Sequence, residues 1–230
     1  MSGRRLHLLQ LVSPALPVGG FSYAEGLEVL VQGGELRDAQ AVAAWLAAEL
    51  RCGALTIEAA ALRPLGEAMA SWRQGEDPEA FSAVADLDGW LLAQREAAEL
   101  RAQQRQMGQS LLQLLAELGW PLPRLAGRPV PRLAWPAAWA WAGLCLELDP
   151  LEQVEAFLFS WVANQLSAAV RLVPLGSTQA QRLQLALAPL IEQRALALLT
   201  AEPRQMASGG VGAGMAQLGH AELYSRLFRS

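Results

Sequence analysis

Apolar residues return every three or four positions along most of the chain, and proline and glycine clusters cut that rhythm into segments. "LHLLQLV" predicts a short first helix from Leu6 to Val12, stopped by Pro14 and Pro17. After "VGG", Ser22 with Glu25 three places on reads as a capping box for a helix that ends at Gly33-Gly34. Asp38 is placed to cap the next helix, which Gly53 and then Pro64 should interrupt. Beyond the loop "RQGEDPEA", one long helix is expected from Asp86 or Asp88 to Leu118, with Leu100, Gln104, Met107, Leu111, Leu114 and Leu118 on its inner seam. Gly119 ends it, and "PLPRLAGRPVP" is a connector that no helix crosses.

A helix from Trp135 to Leu148 follows, and Asp149-Pro150-Leu151-Glu152 reads as cap, first-turn proline and capping carboxylate for another. That helix, Leu151 to Leu172, is apolar on too many sides to lie at the surface. Ser177 or Thr178 caps a last long helix ended by Glu202-Pro203. Residues 207–219 are glycine-rich, with too little side chain to pack, and are expected to be flexible. The chain then returns to apolar, aromatic and arginine residues over 220–230, as a docking tail would. No strand pattern or internal repeat breaks the series. The expected architecture is all-α: one multi-helix bundle over residues 1–230.

Composition sharpens this picture. Hydrophobic residues make up 53% of the 230 and charged ones only 17%, which leaves apolar surface for a partner. The net charge is −4 and all 18 cations are arginines, so Schiff-base and phosphate-loop lysine chemistry is absent. Without a basic run, nucleic-acid binding is set aside. The run after Arg4-Arg5 is short and interrupted by His7 and Gln10, and Leu133 to Leu148 falls short of the roughly 20 residues that span a bilayer. No membrane contact and a cytoplasmic location are expected, with Cys52 and Cys145 as buried thiols and no disulfide.

Candidate chemistry is sparse. His7 and His220 are the only histidines, each near a terminus, so neither a nucleophilic triad nor a metal site forms from sequence neighbours. "GGVGAG" at 209–214 lacks the strand and lysine of a nucleotide loop. Catalytic, cofactor-binding and metal-ligating residues are accordingly assigned as none. Two rivals stay open: a small-molecule helical enzyme with Tyr23, Glu25 and Glu28 lining a pocket, and a heme-handling helical protein using His7. Asn164, Gln165 and Arg171 lie in an apolar helix and need partners, either neighbouring helices or another protein. Trp135, Trp139 and Trp141 read as core.

Three blocks carry a resemblance: "LLQLVSPALPVGGFSYAEGLE" (Leu8 to Glu28), "FSWVANQLSAAVRLVPLG" (Phe159 to Gly176) and "YSRLFRS" (Tyr224 to Ser230). In their order, and in a chain of this length, they resemble the signature blocks of the urease accessory protein UreF family. The resemblance implies a non-enzymatic, dimeric, all-α adaptor that binds a UreD/UreH-type accessory protein and recruits the UreG GTPase. That complex helps insert nickel into apo-urease, and the adaptor gates or couples the GTPase cycle. It further implies a GTPase-facing surface at Pro17, Gly19, Gly20, Phe21, Tyr23, Gly26 and Glu28, joined by Arg171. A tail that docks on the UreD-type partner would present His220, Tyr224, Arg226, Leu227, Phe228, Arg229 and Ser230. The chain departs from the family pattern at Ala134, Ala140, Ser177 and Ala221.

Overall fold

A computed structural model describes residues 2–75, 78–124 and 132–230. Among them are ten α-helices, three short 3-10 turns and no strand. The helices are α1 (Ser2–Leu11), α2 (Leu27–Gln32), α3 (Ala39–Cys52), α4 (Ala54–Gly75), α5 (Pro78–Ala93), α6 (Ala98–Glu117), α7 (Trp135–Cys145), α8 (Pro150–Leu172), α9 (Ser177–Leu199) and α10 (Val211–Gly219). The all-α expectation holds.

Helices α4 and α8 are the axis: α4 packs on α3, α5, α7, α8 and α9, and α8 meets α1, α2, α3, α7 and α9 as well. Their sequences suit this place, since α4 buries Leu55 to Leu62 without a gap and α8 buries Val154, Phe157, Leu158, Val162 and Leu166. Helix α7 is apolar all round, and Pro136 to Gly143 are all buried. Indole N–H groups tie it to its surroundings: Trp139 Nε1 donates to the Gln153 carbonyl and Trp141 Nε1 to the Trp120 carbonyl. Gly108 lets α6 reach this layer, because a Cβ there would lie 2.5 Å from the Leu133 carbonyl oxygen. Trp139 and Trp141 are core, as expected, whereas Trp135 is half-buried and packs on Trp139 with ring centres 5.2 Å apart.

Several element boundaries follow the sequence. Asp38 accepts from Ala41 N at 2.9 Å and Asp149 from Leu151 N at 2.9 Å, so both caps form. Others do not. Helix α4 runs through Pro64, because Leu62 and Leu65 are buried and that packing offsets the roughly 3 kcal/mol an interior proline costs. The expected long helix is two, α5 and α6, broken at Gln94 to Ala97. There Arg95 turns inward to Glu58, and Arg101 Nη1 donates to the Arg95 and Glu96 carbonyls that the break leaves unpaired. The seam of α6 is Leu100, Gln104, Gly108, Leu111 and Leu115, whereas Leu118 is exposed. The capping box is also corrected: Ser22 lies in a 3-10 turn, α2 starts after Gly26, and Glu25 faces inward. Neither Ser177 nor Thr178 caps α9, whose N-cap is Gly176. Residues 211–219, where glycine content predicts poor packing, form α10 against α2. Most of the connector "PLPRLAGRPVP" lies outside the described residues.

No helix among the described residues is long and apolar enough to cross a membrane. Cys52 and Cys145 are both free; Cys52 is exposed rather than buried, and burial pushes the Cys145 thiol up to about 12.

Candidate functional site: the first block, the tail and the cavity beneath the first block

The segment from Pro17 to Glu28 crosses Gln103 to Met107 of α6 and Trp161 and Asn164 of α8. Gly19 (φ 74) turns the chain into the 3-10 helix Gly20–Ser22, and Gly20 lies against Met107 and Asn164. That turn lifts Phe21 to the surface, where it is 69% exposed, beside exposed Pro17. Tyr23 behaves differently: it is 4% exposed, its hydroxyl donates to Gln106 Oε1 at 2.5 Å, and its carbonyl accepts from Asn164 Nδ2 at 3.2 Å. Asn164 therefore serves the internal role open to it. Gln165 is wholly buried and neither of its amide atoms has a partner.

Glu25 (φ 50) and Gly26 (φ 83) are both in the left-handed region. Gly26 is required there, since a Cβ would fall 2.9 Å from the Gln217 backbone nitrogen of α10. The turn sends the Glu25 carboxylate inward, where it accepts from Gln103 Nε2 at 2.9 Å and Trp161 Nε1 at 3.0 Å.

The tail folds back over this block. Ala24 N donates to the Ser230 carbonyl at 2.8 Å and Arg229 N to the Ser22 carbonyl at 2.9 Å. Glu28, 3% exposed, accepts from the Leu227 and Phe228 backbone N–H groups at 2.8 and 3.1 Å. Ser230 Oγ donates to Gln103 Oε1, Phe228 is buried, and the Arg171 guanidinium sits 4.5 Å from its ring centre. Buried His220 places Nδ1 2.8 Å from Glu99 Oε2, and Arg226 Nη1 bonds Glu99 Oε1 at 2.9 Å. Thus Tyr23, Gly26, Glu28, His220, Phe228 and Ser230 are internal ties in this chain. Pro17, Phe21, Tyr224, Arg226, Leu227 and Arg229 are exposed, as is Arg171 apart from its contact with Phe228. Exposed Val211, Met215 and Leu218, four and three residues apart on α10, adjoin Tyr224 and Leu227 in sequence.

Below the first block lies a buried charged group. Arg95 Nε and Nη2 converge on Glu58 Oε1, each at 2.7 Å, with both side chains 5% exposed. Burial raises the Glu58 carboxyl, Arg95 pulls it back, and Glu25 raises it further. Glu49 is raised as well, by burial and then by Glu25. Sequence reasoning missed Glu58, Arg95, Glu99 and Gln103. Only the amides gave a signal, as Gln103 and Gln104 interrupt the apolar seam of α6.

Above this group is a cavity of about 400 Å³, lined by Glu25, Glu58 and Gln104 together with Trp135, Phe159 and Trp161 among others. The rival pocket of Tyr23, Glu25 and Glu28 does not assemble: only Glu25 lines the cavity, while Glu28 holds the tail. His7 lies elsewhere, with Nδ1 3.4 Å from the Leu146 carbonyl. Among the described residues no three His, Cys, Asp or Glu side chains are grouped to hold a metal ion.

The UreF family model matches residues 36–188. The chain is 41% identical to the urease accessory protein UreF of Thermosynechococcus vestitus (strain NIES-2133 / IAM M-273 / BP-1), over 98% of this chain and 97% of that relative. It is 40% identical to the protein of that name from Ralstonia pickettii (strain 12J), over 97% and 96%. For the one from Prochlorococcus marinus (strain MIT 9215) the figures are 38%, over 97% and 98%. An all-helical fold with this much shared sequence defines a urease accessory protein. The chain belongs to the UreF family.

Proposed function

We propose that this protein is a non-catalytic adaptor that joins a UreD/UreH-type protein and a UreG-type GTPase on the way to nickel insertion into apo-urease. It works in the cytoplasm as a homodimer and gates or couples the GTPase cycle. Its work is differential binding: it shifts the GTPase between conformations only by the difference in affinity it offers them. One observation carries the reading. The α10 and tail surface leaves Val211, Met215, Leu218, Tyr224 and Leu227 exposed, and side chains of this kind make interface anchors. The first block adds Phe21 on its 3-10 turn, with Arg171 holding the tail alongside through Phe228. The two surfaces are mechanically joined, since Glu28 and Ser22 of the first block bind the tail backbone.

Co-expression with the two partner types followed by size-exclusion chromatography tests this reading. Deletion of 220–230 is expected to abolish co-elution with the UreD/UreH-type protein. Phe21→Ala is expected to weaken GTPase recruitment while helix content and the dimer persist. Tyr23→Ala is a poorer probe, because it also breaks the bond to Gln106. Unchanged co-elution in both variants would overturn the adaptor reading, as would turnover of a metabolite by the isolated chain.

A further inference from the structure

Helix α8 is committed to the core on most sides, yet one ridge of it faces outward. Glu155, Phe159, Ala163, Ser167 and Arg171 follow one another at four-residue spacing, which places them in a single row on the helix surface. None of the five is buried: Phe159 is 40% exposed, Ser167 and Arg171 are exposed, and Glu155 and Ala163 are half-buried. The row is acidic at one end, aromatic and then small in the middle, and basic at the other end. Phe159, Ala163 and Ser167 also belong to the cavity wall, so whatever covers the ridge takes part of that wall out of water.

Such an order is its own complement. Glu155 and Arg171 stand eight residues either side of Ala163, about 12 Å along the helix axis, and Phe159 and Ser167 stand four either side. A two-fold axis through Ala163 therefore brings Glu155 of each copy to Arg171 of the other and lays each Phe159 ring over a small serine. Ridges with this spacing pack with their helix axes crossing at about 50°, and alanine at the crossing point permits the close approach. The charges at the two ends are also uncommitted. Burial raises the Glu155 carboxyl, and Glu192, Glu152 and Asp149 raise it further, so this end holds an excess of acid. Among the described residues neither Glu155 nor Arg171 has an ion-pair partner. Arg171 rests its guanidinium on the Phe228 ring, and a guanidinium stacked in this way keeps its edge N–H donors for a carboxylate.

We propose that the outward ridge of α8 is the contact between two copies of this chain, set about a two-fold axis at Ala163 with Glu155 of each copy paired to Arg171 of the other. The contact rests on the homodimer of the adaptor reading and gives that dimer its face. Arg171 thereby serves the second copy, and the GTPase is left to the first block.

Sedimentation equilibrium of the full chain and its charge variants tests this. Glu155→Arg and Arg171→Glu are each expected to raise the dimer Kd at least about a hundredfold, because each places two like-charge pairs across the axis. The double variant restores opposite charges at both pairs, and its Kd is expected to return to within about tenfold of the parent. Ala163→Cys in a Cys52→Ser chain is expected to form a disulfide-linked dimer on mild oxidation, since a residue on the two-fold axis meets its own copy, whereas Cys52→Ser alone is not. That variant changes one small side chain, so it reports even where a charge variant misfolds. A parent chain that stays monomeric would overturn the ridge contact and the homodimer together. A dimer that survives both charge variants, with no cross-link at position 163, would overturn the ridge contact alone. Charge variants that dissociate without recovery in the double variant would refute the Glu155–Arg171 pairing. Charge variants that stay dimeric but no longer co-elute with the UreD/UreH-type protein or the GTPase would hand the ridge to that partner and overturn the proposal.

Discussion

Replacing Glu28 by glutamine probes how the tail is held. The carboxylate accepts two backbone N–H groups, from Leu227 and Phe228, and lies 3.6 Å from His220 Nε2. A hydrogen bond to a charged acceptor contributes about 1.5–3 kcal/mol, and glutamine can offer only one neutral oxygen while its amide faces the other N–H. The expected loss in tail attachment is therefore about 2–4 kcal/mol, which at 1.4 kcal/mol per tenfold is about thirty- to a thousandfold more opening. Hydrogen exchange read by mass spectrometry over 223–230 measures this directly, because the two amides exchange only when the tail lifts. Faster exchange confined to that peptide and to Ala24, whose N–H pairs with Ser230, is the expected pattern. Unchanged protection in Glu28→Gln would refute the carboxylate as the anchor, and acceleration across α4 and α8 would mean that it supports the whole core instead.

Further outcomes follow from the same structure. Asp88 is buried, caps Ala134 N at 2.9 Å, and is raised by burial from 3.8 to about 6. Its folded form holds the proton more tightly, so its contribution to stability is full below about pH 4 and is lost as pH rises through about 6, a swing on the order of 3 kcal/mol. Asp88→Asn keeps an acceptor for Ala134 and should gain stability relative to the parent over that window. Urea denaturation at several pH values checks this, and a pH-independent difference would refute it. Arg95→Leu should destabilise by about 3–5 kcal/mol at neutral pH, because Glu58 is left buried and unpaired, and Glu58→Leu in the same chain should restore much of that in thermal melts. Gly26→Ala should loosen α10 from α2, read as faster exchange over 211–219 with α8 unaffected.

The fold was legible wherever a local signal decided the outcome. Asp38, Asp149 and the glycines at 33–34 set helix ends through their own side chains or lack of one, and the apolar breadth of α8 told of its central place. Distant contacts decided the rest. Pro64 is tolerated because Leu62 and Leu65 are buried, a fact that lies in the packing of α4. The break between α5 and α6 exists for a partner 37 residues away, Glu58, so no pattern near Arg95 announces it. The candidate site divides in the same way. The blocks around Phe21, Arg171 and Tyr224 stand out in the sequence, but Glu25 looks like a cap because Trp161 and Gln103, which claim it, are remote along the chain. Likewise the glycines of 207–219 lack side chains to pack, yet Gly26 across from them removes the need for any.

The bonds from Leu227 and Phe228 to Glu28 span 199 and 200 residues of chain. During synthesis the opening segment leaves the ribosome long before its closing strap exists, and loop closure over such a distance comes late. Until then the Glu28 carboxylate stays hydrated and the seat of Phe228 stays empty, so the nascent protein passes through a stage with its central helices assembled and its N-terminal surface unfinished. A holding chaperone would find its target there, and any partner that reads the finished surface would have to wait for residues 227–230 to settle.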